Sequence, residues 1–309
     1  MSIWRSCMIF IVFTHLAWTA AAAAEKTWLC SSPSGELQIE VFEGKMLTYR
    51  VLYRGKEIIQ PSRIAMEFSH VALGSNAEVL ESRRREEKQK LMPVVPSKNA
   101  FIDDHFHELV LKLRGDYQLV LRAYNDAVAY RIITEFDKDE VMVTSETAEF
   151  RFNGNYRTLY LLEPAMFTHF EQYYIDIALR DIDEDKMAFL PVYLAQDDIR
   201  LLIMEADLYS YPGMFVAGDG RDRYALRGRF APYPKKEGVL KQQVADDRDF
   251  AVVETAGFIA RTTGKRAYPW RVLVVRCSAM QSVSKLPGMQ PWLIRKKNLS
   301  LVSPSASAL

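Results

Sequence analysis

Hydrophobic and polar residues alternate with a period of two along most of this chain. Leu37, Ile39 and Val41 alternate with Glu36, Gln38 and Glu40. After the turn Glu43-Gly44-Lys45, Leu47, Tyr49 and Val51 alternate with Thr48 and Arg50. Successive side chains of a strand point to opposite faces, so this pattern predicts a β-hairpin with one buried face. A turn at Tyr53-Arg54-Gly55-Lys56 leads to a strand over Ile64–Phe68, and a looser stretch is expected from Gly74 to Lys98. Strands follow at His107–Arg114, Tyr117–Tyr124 and Ala127–Phe136, broken by Gly115-Asp116 and Asn125-Asp126. Val141–Phe152 adds extended chain rich in β-branched and aromatic residues. Met187–Leu194, Ile199–Tyr209, Tyr224–Phe230, Ala251–Ala260 and Pro269–Val275 continue the series. Short strands with turn signals between them, at roughly ten-residue spacing, predict an all-β antiparallel sandwich. Helical character is confined to Phe170–Arg180, with a loop or a single turn as the alternative.

Both ends depart from the pattern. Arg5, the apolar run Cys7–Trp18 and the small residues Ala20–Ala24 have the order of a secretory signal, so residues 1–24 are expected to be a cleaved leader. The apolar run is short for a membrane span, so no anchor is expected after cleavage, and the protein is expected in the periplasm or at the cell surface. A sandwich domain is expected over residues 25–275. Residues 276–309 have neither alternation nor a helical stripe and finish Ser-rich. They read as an anomalous tail, with a frameshift near codon 276 as one origin.

Charge narrows the function classes. The 40 basic and 39 acidic residues become equal in number once the leader and its Arg5 are removed. A neutral domain is a poor nucleic-acid binder, because neutralising phosphates takes clustered Lys and Arg. The densest charge run, Arg83–Lys90, mixes signs and reads as a solvated loop, with a partner-docking patch as the alternative. Beyond the leader stand Cys30 and Cys277; an oxidising compartment would allow a disulfide, and two unrelated thiols are equally compatible. No CxxC, GxGxxG, GxxxxGK[ST], HExxH or GxSxG occurs in the sequence.

Two groups carry candidate chemistry. His105 and His107 share a strand face and could suit a metal. Without a third His at a recognisable spacing they read better as a strand leaving a polar turn, with Phe106 inward. Glu205 lies among apolar residues in Arg200–Ser210, sharing a face with Leu201 and Ile203. A carboxylate there must be solvated, hydrogen-bonded or paired with a cation. A sheet edge open to water and a ligand role toward a hard cation both satisfy that requirement. Just beyond it, Tyr209, Tyr211 and Met214 are candidates for a sugar-facing surface.

Several segments together resemble the N-terminal β-sandwich domain of glycoside hydrolase family 97, a family of periplasmic α-glucosidases and α-galactosidases. They are Ser32-Pro33-Ser34-Gly35, Arg122 through Arg131, Glu205 through Met214, Phe230-Ala231-Pro232-Tyr233-Pro234, Thr262-Thr263-Gly264 and Pro269-Trp270-Arg271. The resemblance covers about residues 30–275 and implies a sandwich like the galactose mutarotase fold, packed on a catalytic (β/α)8 barrel. It implies that Glu205 is a calcium ligand donated by the sandwich, and that α-linked oligosaccharide and the barrel, in cis or in trans, are its partners. The other calcium ligands and the catalytic glutamates would belong to the barrel, for which this sequence has no counterpart. The chain is therefore expected to bind calcium weakly or not at all and to lack hydrolase activity alone. A stand-alone carbohydrate-binding module, and a subunit docking on a separately encoded barrel, are the alternatives.

Overall fold

The computed structural model describes residues 26–93, 99–168, 170–239 and 250–277. The expected leader, residues 1–24, and residues 278–309 of the expected tail lie outside the described residues. Two sheets of 11 and 10 strands face each other. In the first, Thr27–Ser31, Leu37–Phe42, Thr48–Tyr53, Lys56–Phe68, Val141–Phe152, Ala225–Phe230, Met214–Gly218, Met187–Phe189 and Leu162–Glu163 lie side by side in that order. In the second the order is Ile175–Ala178, Arg157–Tyr160, Val192–Gln196, Ile199–Ala206, Trp270–Cys277, Ala127–Glu135, Tyr117–Ala123, Ile102–Leu113 and Val79–Leu91. Neighbours run antiparallel, as the turn spacing predicted. A separate hairpin joins Pro234–Val239 to Phe250–Thr255.

The alternating residues form the core. Ile39, Val51 and Tyr49 from the first sheet and Leu109, Leu119 and Tyr130 from the second are all buried in one cluster. Tyr49 and Tyr130 meet across the sheets with ring centroids 5.2 Å apart. Burying each such side chain contributes about 1.5–3 kcal/mol, which is why a strict period of two specifies the fold so firmly.

The second sheet has a further apolar layer on its outer face. Met204, Ala206, Trp270, Val272 and Val274 belong to a second buried cluster with Phe106, Val120 and Tyr124. The strands Ile199–Ala206 and Trp270–Cys277 are thus covered on both faces, which suits their near-continuous apolar sequence. They pair with each other along their whole length, Glu205 opposite Arg271 and Arg200 opposite Arg276.

Three local expectations are corrected. Arg83–Lys90 is not a loop but the middle of the strand Val79–Leu91, which borders the second sheet and pairs with Ile102–Leu113. Its side chains are almost all exposed, so it shows no alternation, and its charges protect an open edge. The helical reading of Phe170–Arg180 gives way to the strand Ile175–Ala178 and a single 3-10 turn, Leu179–Asp181. The strand is held by pairing with Arg157–Tyr160, a contact that propensity does not register. Met187–Leu194 divides into Met187–Phe189 and Val192–Gln196, which belong to different sheets.

Candidate functional site

Glu205 sits near the end of its strand, facing the space between the sheets with Leu201 and Ile203. Its strand lies inside the sheet, between Val192–Gln196 and Trp270–Cys277, so the sheet-edge reading of Glu205 is overturned. Its side chain is 5% exposed, and the cation that answers it is Arg271, whose Nη1 donates to Oε2 at 2.9 Å. The same guanidinium reaches across to the first sheet. There Nε and Nη2 donate to Glu146 Oε1 and Oε2 at 2.7 and 2.8 Å. Arg271 and Glu146 side chains are 1% and 6% exposed. One positive and two negative charges therefore stand in a nearly dry space, where low permittivity makes both pairing and loss of pairing expensive. Burial alone would push the Arg271 guanidinium down; Glu146 and then Glu205 outweigh it and hold it above its ordinary range.

The segment after Glu205 folds around this cluster. Met214 N–H donates to Glu205 Oε2 at 3.0 Å, and the Tyr211 hydroxyl donates to Glu146 Oε2 at 2.9 Å. Burial, and then Glu146, push that hydroxyl well above its usual pKa. A Cβ on Gly213 would stand 3.4 Å from Glu205 Oε1, so the turn passes close over the carboxylate. Asp207 and Ser210 take left-handed backbone conformations, φ 55° and 43°. Such conformations persist where the surroundings enforce them. Trp270 Nε1 and Arg131 Nη1 donate to Asp207 Oδ2 at 3.1 and 3.3 Å, and Arg266 donates to the Tyr209 carbonyl. Behind Asp207, on the outer face, the Trp270 ring lies between the guanidinium groups of Arg122 and Arg131, 4.7 and 4.3 Å from its centroid.

Of the three sugar-facing candidates, only Tyr209 presents its ring to solvent, being 56% exposed; Tyr211 and Met214 are buried in the core. His105 and His107 do share a face; Phe106 is buried, but in the apolar layer on the outer face of the second sheet rather than inward between the sheets. His105 Nε2 bonds Glu86 at 2.8 Å, and His107 Nδ1 donates to the Ser31 carbonyl at 2.8 Å. Cys30 and Cys277 are both unpaired thiols. Burial pushes the Cys30 thiol up to about 12, and it donates to the His107 carbonyl at 3.5 Å.

The donor set around Glu205 does not fit a calcium ion. Calcium takes six to eight oxygens. Here the carboxylate oxygens facing the cluster already receive a guanidinium, a backbone N–H and a hydroxyl. No group of three or more His, Cys, Asp or Glu side chains able to hold a metal occurs among the described residues. Sequence reasoning found Glu205 but not Glu146 or Arg271. Arg271 did carry a signal, a charge inside the apolar run Trp270–Val275 like Glu205 inside its own.

A retaining alpha-galactosidase of Bacteroides thetaiotaomicron is 28% identical over 312 residues, covering 94% of this chain and 45% of that enzyme. The chain thus spans less than half the length of this curated relative. Among solved structures, a glycoside hydrolase family 97 enzyme from Pseudoalteromonas sp., in complex with acarbose, superposes with a TM-score of 0.66. It is 17% identical and is matched over 80% of this chain and 35% of its own. A beta-arabinopyranosidase matches with a TM-score of 0.65 at 17% identity, over 80% of this chain and 40% of its own. These likenesses show the sandwich fold. The family model described as Glycosyl-hydrolase 97 N-terminal matches residues 30–284, most of the sequence, and the chain belongs to that family.

Proposed function

We propose that this chain is the sandwich part of an α-glycosidase, working against a catalytic barrel supplied in cis or in trans and having no hydrolase activity by itself. The observation that carries this reading is the state of Glu146 and Glu205. Glycoside hydrolysis needs two carboxyl groups flanking the scissile bond in a site that admits sugar. These two are buried and tied to one guanidinium, so neither is presented to a substrate. The turn Asp207–Met214 would instead form a rim of the sugar site, with Tyr209 at its exposed point. The purified chain should release no p-nitrophenol from the α-galactoside or the α-glucoside; sustained turnover would overturn the reading.

A second reading, a stand-alone carbohydrate-binding module, draws on the exposed rings of Phe167, Phe170, Tyr173 and Tyr174 together with Tyr209. Calorimetric titration with α-linked oligosaccharide separates the two: heat lost on Tyr173→Ala favours the module, and no heat at millimolar sugar favours the sandwich part. The leader expected at residues 1–24 supports export of the chain. N-terminal sequencing of the mature protein should begin near Glu25, and a retained Met1 would count against export.

A further inference from the structure

The end of the sandwich is arranged as a cation with its ligands would be, except that the cation is a side chain. Arg271 offers Nε and Nη2 to both oxygens of Glu146 and Nη1 to Glu205, at 2.7, 2.8 and 2.9 Å. The two carboxylates come from opposite sheets, on the strands Val141–Phe152 and Ile199–Ala206. The guanidinium therefore closes the two layers at this end and sets a positive charge against both acids out of water. A planar fork with several donors suits this bridging task, because one side chain satisfies several acceptors in fixed directions.

We infer that Arg271 is the resident cation of this site: the chain closes around Glu146 and Glu205 without a divalent ion, and loss of the guanidinium turns this pair of acids into a cation site. A divalent ion bound to Glu205 Oε2 would lie beside the guanidinium that the same oxygen already accepts from, so like charges would meet in a dry space. The Met214 N–H and the Tyr211 hydroxyl take further acceptor positions on Glu205 Oε2 and Glu146 Oε2 and anchor the following turn to the same carboxylates. Without Arg271, two ionised carboxyl groups would face one buried gap. A hard cation with oxygen ligands is then the natural replacement. The inference goes beyond the proposed function and stands or falls independently of whether the chain works with a barrel.

The test uses the full 309-residue chain, freed of metals with a chelator and then titrated with calcium chloride. Melting temperature and calorimetric heat are followed to about 10 mM calcium, roughly tenfold above the Kd of about 10⁻³ M of the weakest calcium modules. The native chain should show neither a shift in melting temperature nor a binding isotherm. Arg271→Ala should melt lower in chelator and recover part of the loss in calcium. Adding Glu205→Gln to Arg271→Ala should abolish that recovery. Arg271→Lys, which keeps a positive charge, should remain indifferent to calcium. A saturable calcium response of the native chain overturns the inference, and so does a folded Arg271→Ala that ignores calcium. If Arg271→Ala folds only when calcium is present, the inference is supported; if it folds under neither condition, the native chain and Arg271→Lys decide.

Discussion

Arg271→Met is expected to destabilise the domain by about 3–5 kcal/mol, the range found when one partner of a buried ion pair is removed and the other charge is left behind. The position calls for the upper part of that range, because two carboxylates rather than one lose their counter-charge, and their side chains are 6% and 5% exposed. Methionine replaces most of the volume, so a cavity does not explain the loss. Urea unfolding followed by tryptophan fluorescence would measure it as a lower midpoint with an unchanged slope. The origin is tested by adding Glu146→Gln and Glu205→Gln to Arg271→Met. Neutralising the stranded acids should recover most of the stability, because replacing a complete buried charge cluster is often close to neutral. A loss below about 1 kcal/mol for Arg271→Met alone would mean that Glu146 and Glu205 reach water or a proton by another route.

Trp270→Ala should cost about 3–5 kcal/mol, the usual range for emptying a large aromatic site in a packed layer. Trp270 is 0% exposed and anchors the outer apolar cluster with Phe106, Val120 and Tyr124. Its ring also spaces the guanidinium groups of Arg122 and Arg131, and its Nε1–H fixes Asp207 at the start of the turn that covers Glu205. Trp270→Phe separates these contributions. It keeps an apolar ring in the layer but loses the hydrogen bond, itself worth about 1 kcal/mol. Denaturant midpoints for the two variants should therefore differ widely. In Trp270→Phe the turn Asp207–Met214 should exchange its amides faster while the core strands stay protected. Equal midpoints would place the value of Trp270 in its hydrogen bond to Asp207 rather than in packing.

Much of the fold was legible because its signal is local. The alternation through Leu37–Val51 recurs as a paired hairpin with Ile39 opposite Val51, and Val141–Phe152 is a strand with the same bounds as expected. The failures also have local causes. Val79–Leu91 borders a sheet with nearly all of its side chains in solvent, so no face had to be apolar and no alternation marked it. Around Phe170–Arg180 no period dominates, and Ile175–Ala178 is a strand because a neighbour pairs with it. Tyr211 and Met214 read as surface candidates because aromatic composition beside a turn does not say which way a ring points. The fold turns both inward, with Tyr211 8% and Met214 2% exposed.

By itself the sequence determined the all-β class, the positions of most strands and the anomalous charge at Glu205, because each follows from neighbours two residues away or from the company a residue keeps in its own strand. Only the tertiary structure decided what that charge meets. Arg271 lies 66 residues from Glu205 and 125 from Glu146, and the three come together because two sheets close on a shared apolar core. Apolar burial is strong and non-directional, so a pattern along the chain can specify it. Charge pairing in a dry interior depends on ångström distances between distant segments, and no pattern along the chain encodes those distances.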